Sequence, residues 1–177
     1  YSTFTAETAS ISNEMLLNDY MVANAKTKAE KLYYLGEGLE LIRGTFFRQT
    51  MFGEFQLAVH EEIEKGNALS GKRMTEIYCD LLKRYHGDAQ GVMKINPDYC
   101  IEWAFIPHFY YGFYVWQYAT SMAGAAQFTD EIEHEGAPAR DRYINMLKAG
   151  GSDYAYELYK KAGIDMATPA PYQALVA

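Results

Sequence analysis

The sequence is poor in cysteine and proline and has no cluster of basic residues. Its two cysteines, Cys79 and Cys100, have no metal-binding spacing and are too few for a disulfide framework, so a reducing cytosol fits best. The chain has 16 Lys and Arg residues and 23 Asp and Glu residues, which gives a net charge of −7. Because phosphate binding requires clustered positive charge, we expect no nucleic-acid partner.

Targeting signals and membrane spans are also lacking. The first five residues have neither a charged nor an apolar region of the kind that forms a signal peptide. The densest aromatic stretch, 103–118, is interrupted by Pro107, His108 and Gln117, whereas a membrane span needs about 20 mostly apolar residues. We therefore predict a cytoplasmic protein with no membrane partner. The chain has no initiator Met, and we expect it to begin inside a longer polypeptide.

The composition is that of a globular protein: 49% of the 177 residues are hydrophobic and 15% are aromatic. This length predicts one domain, residues 1–177. Apolar residues recur with helical spacing almost throughout, and no alternating pattern indicates a strand, so the predicted fold class is all-α. We predict six helical regions, at 4–23, 27–66, 70–85, 99–133, 138–150 and 152–163, and an extended tail from Asp165. The second region should kink or pack closely at its glycines, the fourth should restart at Pro107, and Ser152 should cap the sixth.

His108 begins a run of aromatic residues. On an α-helix, where each residue turns by about 100°, His108 would share one stripe with three tyrosines. These are Tyr111, Tyr114 and Tyr118. An imidazole and several phenols on one wall could donate hydrogen bonds to a developing oxyanion. The alternative, which spacing alone favours, is a core helix whose tyrosines reach buried partners.

Glu7 and Glu14 are the second candidate pair, since they lie two helical turns apart on nearly the same face. Two carboxylates among small and apolar residues could bind a metal ion or perform acid–base chemistry. The alternative, which the residues alone favour, is two solvated surface glutamates. The zinc motif HExxH is missing, because its nearest matches, which start at His60 and His134, lack the second histidine.

Three segments together resemble the oligoendopeptidase F branch of the thimet-type zinc metallopeptidases. They read Phe-Thr-Ala-Glu-Thr-Ala-Ser at 4–10, Phe-Arg-Gln-Thr-Met-Phe-Gly-Glu-Phe at 47–55 and Ile-Pro-His-Phe-Tyr-Tyr-Gly-Phe-Tyr at 106–114. The tail 150–166 is similar too, so the resemblance covers nearly the whole chain in the right order. The resemblance implies an all-α helical bundle that forms the C-terminal part of a zincin-type oligopeptidase catalytic domain.

Enzymes of this branch hydrolyse short peptides in a deep channel and hold one zinc ion by both histidines of HExxH and a downstream glutamate. The resemblance implies that Glu7 is this glutamate and that Glu14 is an acidic residue beside the site. It also implies that His108 steadies the tetrahedral intermediate together with the tyrosines Tyr111, Tyr114 and Tyr118.

The missing HExxH helix precedes the glutamate by about two dozen residues in this family, whereas only six residues precede Glu7. We therefore expect the N-terminal remainder of the enzyme as a partner, and this chain alone to be inactive with zinc absent or weakly bound. The alternative is a non-catalytic helical interaction domain that keeps the fold without the chemistry. An HExxH motif upstream in the parent reading frame would favour the enzyme.

Overall fold

The computed structural model describes residues 1–176, and this part of the chain is helical with no strand. The predicted all-α class is therefore confirmed. The α-helices are α1 (Thr3–Ala6), α2 (Thr8–Asn24), α3 (Lys28–Ile42), α4 (Arg48–Glu64), α5 (Gly71–Tyr85), α6 (Trp116–Glu135), α7 (Ala137–Ala149), α8 (Ala155–Lys161) and α9 (Ala170–Val176). A π-helical turn, Arg43–Phe47, joins α3 to α4, and two 3-10 segments, Pro97–Phe105 and Pro107–Tyr110, precede α6. Within the described range, no helix is long and apolar enough to cross a membrane.

Local capping explains the helix starts that the sequence indicated. The Thr27 side chain accepts a hydrogen bond from the Glu30 backbone, and the Glu30 carboxylate accepts one in return from the Thr27 backbone. The Ser70 hydroxyl accepts from the backbone N–H of Arg73 at 3.2 Å. These bonds satisfy donors at the helix start that have no partner within the helix. Both α3 and α5 therefore begin where expected.

Four of the predicted helix boundaries and segments were wrong. The first predicted helix is broken at Glu7, which lies between α1 and α2. The region 99–133 is α-helical only from Trp116 onward, because Gly112 and Phe113 have φ values of 51° and 59°. Helix α8 begins after Tyr154 rather than at a Ser152 cap. The tail ends in helix α9 instead of remaining extended.

Tertiary contacts divide the chain into two compact units. The first contains residues 1–46 and 117–176, and α6 is its most buried helix, with a nearly continuous buried stretch from Ala119 to Thr129. One core group in this unit surrounds Phe128 and Tyr159, and a second surrounds Ile11 and Met122.

The second unit contains residues 47–116, and its core is formed by α4, α5 and the first 3-10 segment. Met51, Phe52, Phe55 and Tyr78 are almost completely buried there. The sulfurs of Cys79 and Cys100 are bonded at 2.07 Å, a bridge that the sequence analysis, which found too few cysteines for a disulfide framework, did not predict. Cys79 belongs to α5 and Cys100 to the 3-10 segment packed beside it, a contact that their separation in sequence does not reveal.

Candidate active site

The segment that carries His108 is a 3-10 turn, Pro107–Tyr110, followed by an irregular stretch. The Tyr111 N–H donates to the His108 carbonyl at 3.0 Å and closes this turn. Gly112 and Phe113 then take left-handed backbone conformations, and the chain enters α6 at Trp116. The predicted helical stripe is therefore wrong in its geometry.

Three of the four predicted rings nevertheless meet. The ring centroids of His108 and Tyr111 are 6.1 Å apart, as are those of His108 and Tyr114, and those of Tyr111 and Tyr114 are 6.3 Å apart. Tyr111 is exposed, whereas His108 and Tyr114 are half-buried. We call these three residues the His–Tyr cluster. It places one imidazole and two phenols, each able to donate a hydrogen bond, around one partly exposed surface.

Tyr118, the fourth predicted residue, lies in the first turns of α6 and belongs to the other unit. It is half-buried there. Its assignment to the site therefore stays a prediction based on the sequence resemblance.

The chain leading into the His–Tyr cluster is fixed by polar bonds as well as by the disulfide. Glu102, in the first 3-10 segment, pairs with Arg48 of α4 and accepts a hydrogen bond of 2.5 Å from the buried Tyr78 hydroxyl. Burial and the neighbouring Glu102 carboxylate raise the pKa of Tyr78, so this phenol keeps its proton. The Trp103 indole donates to the Thr75 hydroxyl at 3.1 Å. Helices α4 and α5 therefore hold the segment that precedes His108.

Glu7 lies at the break between α1 and α2, where its backbone ends one helix and begins the next. Its carboxylate accepts a hydrogen bond from the Ser10 hydroxyl at 3.0 Å. Thr8, the next residue, is fully buried and bonds through its hydroxyl to Tyr159. The Ser121 hydroxyl of α6 donates to the Phe4 carbonyl at 3.2 Å. The backbone on both sides of Glu7 is therefore anchored in the core, and Glu7 as a whole residue is half-buried.

Glu14 lies on an exposed face of α2. It lines a groove between α2 and α3 together with Leu17, Tyr34, Leu41 and other residues. Within residues 1–176 no group of three or more His, Cys, Asp or Glu side chains is arranged to hold a metal ion.

Three residues that sequence reasoning did not select also shape the site. Gln56 and His60 of α4 contact the segment that follows His108, and Phe113 is the sole non-glycine residue with positive φ among those described. The Gly112–Phe113 pair gave a weak signal, since glycine often marks a left-handed turn. His60 drew attention only as the start of an incomplete HExxH match, and nothing in the local pattern of α4 distinguished Gln56 from other helix positions.

The sequence profile of peptidase family M3 matches residues 1–177. The chain belongs to peptidase family M3. Among its relatives, Oligopeptidase PepF of Bacillus subtilis (strain 168) is 47% identical over 98% of the chain. The plasmid-encoded Oligoendopeptidase F of Lactococcus lactis subsp. cremoris is 39% identical over 94% of the chain.

A crystal structure of oligoendopeptidase-F from Enterococcus faecium matches 99% of this M3 chain with a TM-score of 0.87 and 37% sequence identity. The chain spans only 26% of the length of the Bacillus subtilis relative, 27% of the Lactococcus lactis relative and 33% of the Enterococcus faecium chain. It therefore corresponds to about one quarter to one third of these M3 proteins.

Proposed function

We propose that this chain is the C-terminal part of a zinc-dependent oligopeptidase that hydrolyses peptide bonds in short peptides in the cytoplasm. The observation that carries the proposal is the match over the whole chain to family M3 and to relatives named oligopeptidases and oligoendopeptidases. The His–Tyr cluster supports it, because its donors suit a reaction in which negative charge develops on oxygen.

In this proposal Glu7 is one of three protein ligands of a catalytic zinc ion, and the N-terminal remainder supplies two histidines from HExxH. The surroundings of Glu7 fit such a role, because its backbone is anchored on both sides and the residue is only half-buried. When bound, zinc would activate a water molecule and polarise the peptide carbonyl. Glu14 would hold a neighbouring ligand or water rather than the metal itself.

His108, Tyr111, Tyr114 and Tyr118 are proposed as the donors that stabilise the oxyanion of the tetrahedral intermediate. The carbonyl oxygen gains negative charge as the bond to the attacking water forms, and donors already in position stabilise that charge. Removing one such donor typically lowers turnover by about 100- to 1000-fold.

The test is mutagenesis in the zinc-loaded full-length peptidase that contains this chain. We expect His108→Ala, and at least one Tyr→Phe change at 111, 114 or 118, to lower kcat by about 100-fold or more. A Tyr→Phe change keeps the ring and its packing, so the melting temperature and the zinc content should remain nearly unchanged. Tyr110→Phe is the matched control, because Tyr110 lies in the same segment but is 89% exposed.

Full activity in all three Phe variants would show that these tyrosines are ordinary packing residues. A parent reading frame without an upstream HExxH motif would instead favour a non-catalytic helical interaction domain with the family's fold. In that case no peptide hydrolysis sensitive to zinc chelators should be detected.

A further inference from the structure

The irregular stretch after His108 contains a backbone conformation that is unfavourable for a non-glycine residue. The 3-10 segment Pro107–Tyr110 has only four residues, and two consecutive left-handed residues follow it. A left-handed conformation is unfavourable at a non-glycine residue such as Phe113, because the Cβ atom comes too close to the following carbonyl oxygen. Such a conformation persists only where surrounding contacts determine it.

Helix α4 supplies a hydrogen bond at the start of this stretch. The Gln56 side-chain amide donates to the Phe109 carbonyl at 3.2 Å, and Gln56 is only 5% exposed. The Phe109 ring also packs against Phe52 and Phe55, with ring centroids 5.4 and 5.2 Å away. The backbone next to His108 is therefore fixed to the core of this unit.

A second contact from α4 lies one helical turn further along. The imidazole of His60 and the ring of Phe113 lie 5.2 Å apart between centroids, with an interplanar angle of 32°. Gln56 and His60 are four residues apart and therefore share one helix face. Their partners, Phe109 and Phe113, are also four residues apart and lie on either side of Tyr111. Through these two contacts, α4 holds both ends of the stretch that contains Tyr111.

We propose that Gln56 and His60 are positioning residues that hold the His–Tyr cluster in its active geometry. Gln56 fixes the carbonyl directly after His108, and His60 supports the left-handed Phe113 directly before Tyr114. The imidazole of His60 acts through its flat ring and not through proton transfer or metal binding. The inference rests on the proposed hydrolysis, since the cluster is what these contacts position.

The test compares four variants of the zinc-loaded full-length peptidase. Gln56→Met keeps the side-chain length and removes the donor, and His60→Ala removes the ring. We expect both to lower kcat by about 10- to 100-fold with little change in KM, because a displacement of about 1 Å in a reacting group costs about 100-fold. His60→Phe should restore most of the kcat lost in His60→Ala. The control, Leu57→Ala, changes an exposed residue of the same helix and should leave kcat unchanged.

Hydrogen exchange gives a readout that does not depend on catalysis. Amides in 109–116 should exchange faster in Gln56→Met and His60→Ala, while exchange elsewhere in α4 and α5 stays as in the unaltered protein. If His60→Phe is as impaired as His60→Ala, the imidazole chemistry matters and the positioning role is wrong. The inference is also overturned if the amides in 109–116 exchange at an unchanged rate in Gln56→Met and His60→Ala, or if they exchange faster while kcat stays unchanged. An inactive unaltered peptidase would contradict the proposed function, and exchange would still decide whether α4 holds the stretch.

Discussion

At the residue scale, Tyr159 links the core of its unit to the backbone beside Glu7. Its ring is fully buried, stacks on Phe128 with centroids 6.1 Å apart and contacts Phe4 edge-on. Its hydroxyl bonds to Thr8, the residue directly after Glu7. A residue far from Glu7 in sequence thus helps to fix the position of the proposed zinc ligand.

We predict that Tyr159 makes the free energy of unfolding fall at high pH. Burial raises its pKa to about 12, whereas a tyrosine in the unfolded chain titrates near pH 10. The resulting stability is therefore fully present below about pH 10 and is lost as the pH rises through about 12. Urea unfolding at pH 8, 10 and 11 should show this decrease. Tyr159→Phe should reduce the decrease, whereas Tyr154→Phe, at an exposed position, should leave it intact.

At the scale of the helix, two interior glycines have opposite environments. A Cβ at Gly36 of α3 would have no neighbouring atom within 4 Å. A Cβ at Gly124 of α6 would lie 2.7 Å from the Cε1 atom of Tyr159, too close for normal packing. Helix α3 has no buried residue, whereas Gly124 lies within the most buried stretch of α6.

Alanine substitution should therefore have opposite effects on stability at these two glycines. We predict that Gly36→Ala raises the free energy of unfolding by about 0.5–1 kcal/mol, because alanine favours the helix and restricts the unfolded chain. Gly124→Ala should lower it by about 1–3 kcal/mol, because the buried Tyr159 ring would have to move. Thermal and urea unfolding of both variants would measure this. A stabilised Gly124→Ala variant would mean that α6 and α8 separate easily.

At the scale of the whole molecule, this chain supplies only part of the proposed zinc site. Glu7 provides one proposed carboxylate ligand, whereas a catalytic zinc ion normally takes three protein ligands and a water molecule. The relatives are about three to four times longer than this chain, and in the proposed function the remaining ligands come from a part of the enzyme that this chain does not include.

We predict that the isolated chain binds zinc weakly or not at all, and that adding the HExxH-bearing part of the peptidase restores binding. Glu7→Gln should then weaken zinc binding, because the amide cannot supply the negative charge of the carboxylate. Glu133→Gln, at another acidic helix position, serves as the control. Zinc titration of the isolated and reconstituted proteins would measure this. Stoichiometric, chelator-sensitive zinc in the isolated chain would contradict the expectation that two ligands are missing.

The sequence by itself determined the helical class and several helix ends. The Ser70 cap and the start of α3 after Thr27 were predictable, because capping involves bonds between residues close in sequence. The resemblance to oligoendopeptidase F was also readable from ordered motifs, and membership of family M3 agrees with it. The roles of Glu7, Glu14 and the His–Tyr cluster stay predictions.

Only the tertiary structure decided how the candidate site is formed. His108, Tyr111 and Tyr114 were expected to align on one α-helix, but their rings meet through a 3-10 turn and two left-handed residues. The bond between Cys79 and Cys100 likewise depends on which helices pack together. Helical periodicity and capping arise from neighbours along the chain, and sequence patterns therefore reveal them. The contacts of Gln56, His60 and the two cysteines join distant segments, so they exist only once the whole unit has packed.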